Sequence, residues 1–246
     1  MVSAADATRL RNSQAAIRTL VNRDLTAFFG PLNLTGRPEA SRDALIEYVT
    51  YLVDEYGDAA AAAAAEWYDE VRAAESVPGR YRAMAMPSPY VDGVEGTVRR
   101  AAGSFFSDAP AAALPILLGT TGKYVLAAGR QTITTSTDRD PRASGWRRIA
   151  RPGACDFCTF LAGRGAVYKE HTVHFAAHGG AHAGECNCAA VPDWDPDAPE
   201  VDVELYQASA RTTQWKLRAA KGDASAARQL ARHNELIRDA IARHTH

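Results

Sequence analysis

No histidine stands before His171 in this 246-residue chain, and no cysteine stands outside residues 155–188. The first absence removes Ser/His nucleophilic chemistry from the first two thirds of the sequence, because the base of such a pair is an imidazole. An excess of either charge is also missing. Lys plus Arg number 28 and Asp plus Glu 29, a net charge of −1 that gives no global attraction to nucleic acid or to a membrane surface. Uninterrupted apolar runs are short. The best, Ala111 to Leu118, is too short to span a bilayer and contains Pro115. The N-terminus lacks the basic-then-apolar layout of a signal peptide. His-Glu-x-x-His is absent, as is a His-x-Glu upstream of Pro-Cys-x-x-Cys, so the metal-hydrolase and nucleobase-deaminase signatures are missing. The expectation is a non-enzymatic protein with no membrane partner and no small-molecule substrate, made and kept in a reducing cytoplasm.

What the chain does have is concentrated in one stretch. Cys155 and Cys158 form a Cys-x-x-Cys pair, Cys186 and Cys188 a Cys-x-Cys pair, and His171, His174, His178 and His182 lie between them. Two close pairs of soft ligands with imidazoles between are the composition of a structural metal site, and thiolates select zinc over calcium or magnesium. A tight turn aims both thiolates of Cys-x-x-Cys at one ion. Cys186 and Cys188 would run parallel in an extended strand and converge only if a turn tilts them. His182, four residues before Cys186, is a replacement ligand. The candidate set is therefore Cys155, Cys158, His182 and one or both of Cys186 and Cys188, around a structural Zn2+. The competing readings are packed reduced thiols and disulfides. Clustering argues against the first and a reducing compartment against the second.

Most of the remaining sequence reads as helix. Ala4 to Phe29 carries Ile17, Leu20, Val21, Leu25 and Phe28 at helical spacing and ends at Gly30-Pro31. Ser41 is an expected N-cap for a second helix through Leu45, Tyr48, Val49, Leu52, Val53 and Tyr56, with Gly57 as its stop. Asp58 would cap a third, built on the alanine run from Ala59 to Ala65 and continuing through Trp67 and Val71. Val77 to Pro89 is a proline-containing connector. Val91 to Phe106 is the next helix. Ala111 to Ala128 follows, with an expected kink at Pro115. From Gln131 to Gly145 the chain turns polar, and the three arginines of Trp146-Arg-Arg-Ile-Ala-Arg151 are expected on a solvated face. Val191 to Pro199, with three prolines and three aspartates, reads as an extended acidic linker. The segment from Arg211 onward is helical in pattern and basic, eight cations against three carboxylates.

The fold expected is mostly α: a helical N-terminal body over residues 1–130, a small irregular or β-containing metal-knuckle module over 131–192, and an acidic linker with a basic C-terminal helix over 193–246. Three functions compete on this basis. They are a non-enzymatic structural protein, a zinc-dependent hydrolase needing an open coordination position and a general base, and a DNA-binding protein using the basic tail. Only Glu170 and Glu185 lie near the cysteines as a base, and aromatic residues are not interleaved with the basic ones.

The middle of the chain resembles a known family. Arg148-Ile-Ala-Arg-Pro-Gly-Ala-Cys155-Asp-Phe-Cys158 is followed by Leu161-Ala-Gly-Arg-Gly-Ala-Val-Tyr168, then His182, Cys186-Asn-Cys188 and Val191-Pro192. This order is similar to the MuF-like minor capsid, or head-morphogenesis, proteins of tailed bacteriophages infecting actinobacteria. The N-terminal half, with Tyr56-Gly-Asp-Ala-Ala-Ala and Trp67-Tyr-Asp-Glu, is similar to the same group. Three residues, rather than the family's usual two, separate His182 from Cys186. The resemblance implies a virion protein of the phage head near the portal, present in the host cytoplasm during assembly. Its implied partners are the portal protein, the major capsid protein or both, with packaged DNA a further partner for the basic tail.

Overall fold

The computed structural model describes residues 2–150, 161–163, 165, 189–195, 197, 215–216 and 218–232. The fold is mostly α, with one small two-stranded sheet among the described residues. The first helix, α1, is Ala4–Phe29, with the bounds expected from its periodicity. Its start is a reciprocal cap. The Asp6 amide donates to Ser3 Oγ at 3.1 Å, and the Ser3 amide and hydroxyl both donate to the Asp6 carboxylate.

The second helix, α2, is Pro38–Ala74 and runs straight through Gly57. Sequence reading predicts a stop at Gly57 and a third helix capped by Asp58, and the structure corrects both. Glycine costs about 1 kcal/mol in a helix interior. Here it is buried, and a Cβ at Gly57 would stand 3.8 Å from Ala128 Cβ, so the small residue sits in a close helix contact. The start is also corrected. Pro38 opens the helix, where its missing N–H costs nothing. Ser41 lies inside the helix, its hydroxyl donating to the Asn33 carbonyl at 3.1 Å.

After the connector come a 3-10 turn, the helix α3 (Val94–Ala102) and a second 3-10 turn ending at Phe106. The last long helix, α4, is Ala113–Arg139. Pro115 falls in its first turn, where no intrahelical donor is needed, so it does not break the helix. The polar stretch after Gln131 remains helical, and Thr132 to Thr137 are buried. The hydroxyls of Thr132, Thr134 and Thr135 are hydrogen-bonded within the fold, whereas Ser136 Oγ is buried with no partner among the described residues. Thr132 Oγ1 donates to the Ala128 carbonyl at 2.9 Å and accepts from the Met86 amide at 2.9 Å, and Thr134 Oγ1 donates to the Arg130 carbonyl. By length and composition residues 110–139 are apolar enough to cross a membrane. Leu117, Val125 and Leu126 instead pack in a core, and a core helix passes the same test.

The chain divides into two compact units. One comprises Asn12–Asp69 and Arg82–Ser136. Its core joins Val21, Leu25 and Phe29 of α1, Leu45, Val49, Leu52 and Val53 of α2, Val98 and Ala101 of α3, Phe105, and Leu117, Val125 and Leu126 of α4. Each large apolar side chain buried there contributes about 1.5–3 kcal/mol. Glycine sets the closest approach: a Cβ on Gly129 would meet the Ala60 carbonyl oxygen at 3.0 Å.

The other unit comprises Met1–Arg11, Glu70–Tyr81 and Thr137–His246. It holds the strands β1 (Gly145–Ile149) and β2 (Ala189–Asp193). In the C-terminal segment, residues 218–219 and 224–232 are helical, with a turn between them. Gly222 takes φ 88°, and the Asp223 carboxylate accepts from the Ser225 and Ala226 amides, both at 3.0 Å, as an N-cap. The described part of the basic tail is therefore helical on either side of a turn rather than one continuous helix.

Candidate functional site

β1 and β2 pair antiparallel, in the register Gly145 with Asp193, Trp146 with Pro192, Arg147 with Val191, Arg148 with Ala190 and Ile149 with Ala189. The pairing holds the two ends of the cysteine-bearing stretch side by side, with Ile149 entering it opposite Ala189, the residue after Cys188. Cys155, Cys158, His182, Cys186 and Cys188 themselves lie outside the described residues. Among the described residues no group of three His, Cys, Asp or Glu could hold a metal ion, and all four cysteines fall outside that set.

The strands are fully packed, which corrects two expectations. Arg147 and Arg148 do not form a solvated face, and Arg151 lies outside the described residues. Trp146 has no exposed surface and Arg148 is 3% exposed, its guanidinium 5.7 Å from the Trp146 ring. Residues 191–193 are strand rather than extended linker, and Asp193 is buried. Asp193 faces the Arg147 guanidinium, with Nε to Oδ2 at 3.4 Å, and Arg147 Nη2 donates to the Val2 carbonyl at 2.8 Å. Burial pulls the Arg147 pKa down, and the charges of Asp193 and Glu75 oppose that pull.

A second polar cluster ties β2 to the ends of α2 and α4. Arg72, in the last turn of α2, donates through Nε to Asp140 Oδ2 at 2.8 Å. Its other nitrogens donate to the carbonyls of Val77, Pro78 and Gly79 at 3.1–3.3 Å, closing the end of the helix. Asp140 also accepts from Trp194 Nε1 at 3.0 Å and from the Arg142 amide at 3.1 Å. The Arg72 and Asp140 side chains are 8% and 0% exposed. Burial pushes the Asp140 carboxyl up, but the hydrogen bonds from Arg72, Trp194 and Arg142 outweigh it and hold the carboxyl below its ordinary value. Periodicity could not reveal this cluster, because its members lie far apart in sequence. The one local signal was an arginine in the last turn of a helix, where cations are favoured.

An open cleft of about 510 Å³ adjoins this cluster, lined by Glu75, Ser76, Val77, Pro78, Pro141, Arg142, Trp194 and Asp195. Among these residues there is no nucleophile paired with a base.

The two helical units and the strand pair around the cysteine stretch define a mostly α protein with a small β element. The model of the VG15 protein family matches residues 1–212, and the chain belongs to that family. It is thereby a phage protein, acting in the virion or in the infected host cell. No curated protein and no solved structure matches the chain.

Proposed function

We propose that this chain is a non-enzymatic minor capsid, or head-morphogenesis, protein of the MuF-like kind carried by phages of actinobacteria. It is associated with the portal and inner head and contains a structural zinc site. The observation that carries the reading is the confinement of all four cysteines to one stretch whose ends are joined by paired strands, in a chain of a phage protein family. The order of arginine, Cys-x-x-Cys, Leu-Ala-Gly-Arg-Gly-Ala-Val-Tyr, histidine and Cys-x-Cys supports the finer assignment.

The donor set fits zinc. Cys155 and Cys158 are ligands, Cys186 or Cys188 is a third, and the other cysteine or His182 the fourth. Four protein ligands leave no position for water or substrate, so the ion stabilises rather than reacts. The stretch is rich in glycine, with Gly153, Gly163, Gly165, Gly179, Gly180 and Gly184, and carries few large apolar side chains. Metal binding therefore supplies its folding free energy, on the order of 10 kcal/mol at neutral pH. The helical units dock on portal or major capsid subunits. The test is co-purification from infected cells with an affinity-tagged portal protein. Recovery of the chain in the portal fraction supports the reading, and a stable monomer that never associates with head proteins overturns it.

A further inference from the structure

Charge is strongly segregated in a chain whose net charge is only −1. α2 carries nine carboxylates against two arginines, one of which, Arg72, is buried on Asp140. Residues 211–246 carry eight cations against three carboxylates. Asp43, Glu47, Tyr51, Asp54, Glu55 and Asp58 follow one another at helical spacing, and all are exposed. Among the described residues, only Asp43 of these carboxylates has an ion-pair partner, Arg42 at 2.7 Å.

The same face has an aromatic centre. Tyr51 is 56% exposed, its ring 6.1 Å from that of Tyr48, which stacks on Phe28 at 3.9 Å. Carboxylates around an exposed tyrosine repel nucleic acid and suit a basic protein segment with some apolar surface. The chain contains such a segment. Lys216, Arg218, Lys221, Arg228 and Arg232 are exposed, and Arg228 and Arg232 stand four residues apart on one helical face.

We propose that the outward face of α2 in one copy, centred on Tyr51, receives the arginine-bearing C-terminal segment of a second copy. Such a contact is head-to-tail, and it closes into a ring or extends into a chain according to its rotation. Its charges are exposed and therefore screened by salt. The observations behind it are independent of the zinc site and of the portal association.

The test is sedimentation velocity on the full chain in about 0.1 M and about 1 M salt, over which the screening length falls from about 10 Å to about 3 Å. Two charge reversals accompany it, one of the face (Glu47→Arg, Asp54→Arg, Asp58→Arg) and one of the tail (Arg228→Glu, Arg232→Glu). Circular dichroism confirms that each keeps its helices. The wild type should self-associate at the lower salt and about tenfold more weakly at the higher. Each reversed variant alone should be monomeric, and an equimolar mixture should associate again because the exchanged charges match. A wild type monomeric at both salts, a face variant that associates like wild type, or a mixture that stays monomeric overturns the proposal. So does tail-dependent retention of duplex DNA on a filter without self-association, which would give the basic segment to nucleic acid instead.

Discussion

Replacing Arg72 by methionine removes a guanidinium whose five polar contacts reach the Asp140 carboxylate and the carbonyls of Val77, Pro78 and Gly79. Asp140 would remain buried, keeping the Trp194 indole and the Arg142 amide as donors but losing its guanidinium partner. Breaking a buried ion pair by removing one partner costs about 3–5 kcal/mol, because the other charge is left uncompensated. For a chain of this size that is a fall in Tm of about 6–20 °C. The assay is thermal and urea unfolding followed by circular dichroism, with Asp140→Leu added to Arg72→Met in a double-mutant cycle. The double variant should recover much of the loss, since neither charge is then stranded. The pH dependence has a fixed sign. The Asp140 pKa is depressed in the folded chain, so its contribution is present above the unfolded carboxylate value of about 4 and is lost as pH falls through the lower folded value. The wild-type and Arg72→Met stabilities should therefore approach each other as pH falls below about 4 and meet only below the lower folded value. A loss under about 1 kcal/mol at neutral pH, or a double variant as weak as the single, would refute the pairing as a stabilising contact.

Gly129→Ala should destabilise by about 1–3 kcal/mol, because its Cβ would stand 3.0 Å from the Ala60 carbonyl oxygen, which is backbone and cannot turn away. Gly96→Ala, with nothing within 4 Å of its Cβ, should stabilise by about 0.5–1 kcal/mol, and urea midpoints compare the two. Thr132→Val should cost about 1–3 kcal/mol by leaving the Met86 amide without its acceptor, while Thr132→Ser should cost less; equal losses would show that the hydroxyl is not what matters. The purified chain should contain one zinc and no disulfide, and Cys158→Ser should lose the metal while retaining the helical circular-dichroism signal of the remainder. Four free thiols without zinc, or two disulfides without zinc, would refute the site.

Helices with a clean apolar period were legible in the sequence, and α1 was legible to the residue. The errors came where tertiary packing overrides a local rule. Gly57 and Pro115 carry the marks of a stop and a kink, yet one lies in a close contact and the other in a first turn. Thr132 to Thr137 read only as a polar stretch, because hydroxyls usually mean solvent, yet they are helical and buried. Back-bonding of Thr132 and Thr134 to the preceding helical turn makes the burial of those two hydroxyls inexpensive. Arg148 and Asp193 look exposed because charge usually is. Their burial depends on strand pairing between segments far apart in sequence, which no window of neighbouring residues contains. Of the candidate metal site, the cysteine spacing was legible from the start, and the structure adds the strands that flank it.

The most direct test of the head-protein assignment is quantitative mass spectrometry of purified virions, with heads separated from tails on a density gradient. The account predicts the chain in the head fraction, in fixed proportion to the portal protein and absent from the tails. A chain abundant in the infected-cell lysate but missing from purified heads would contradict it.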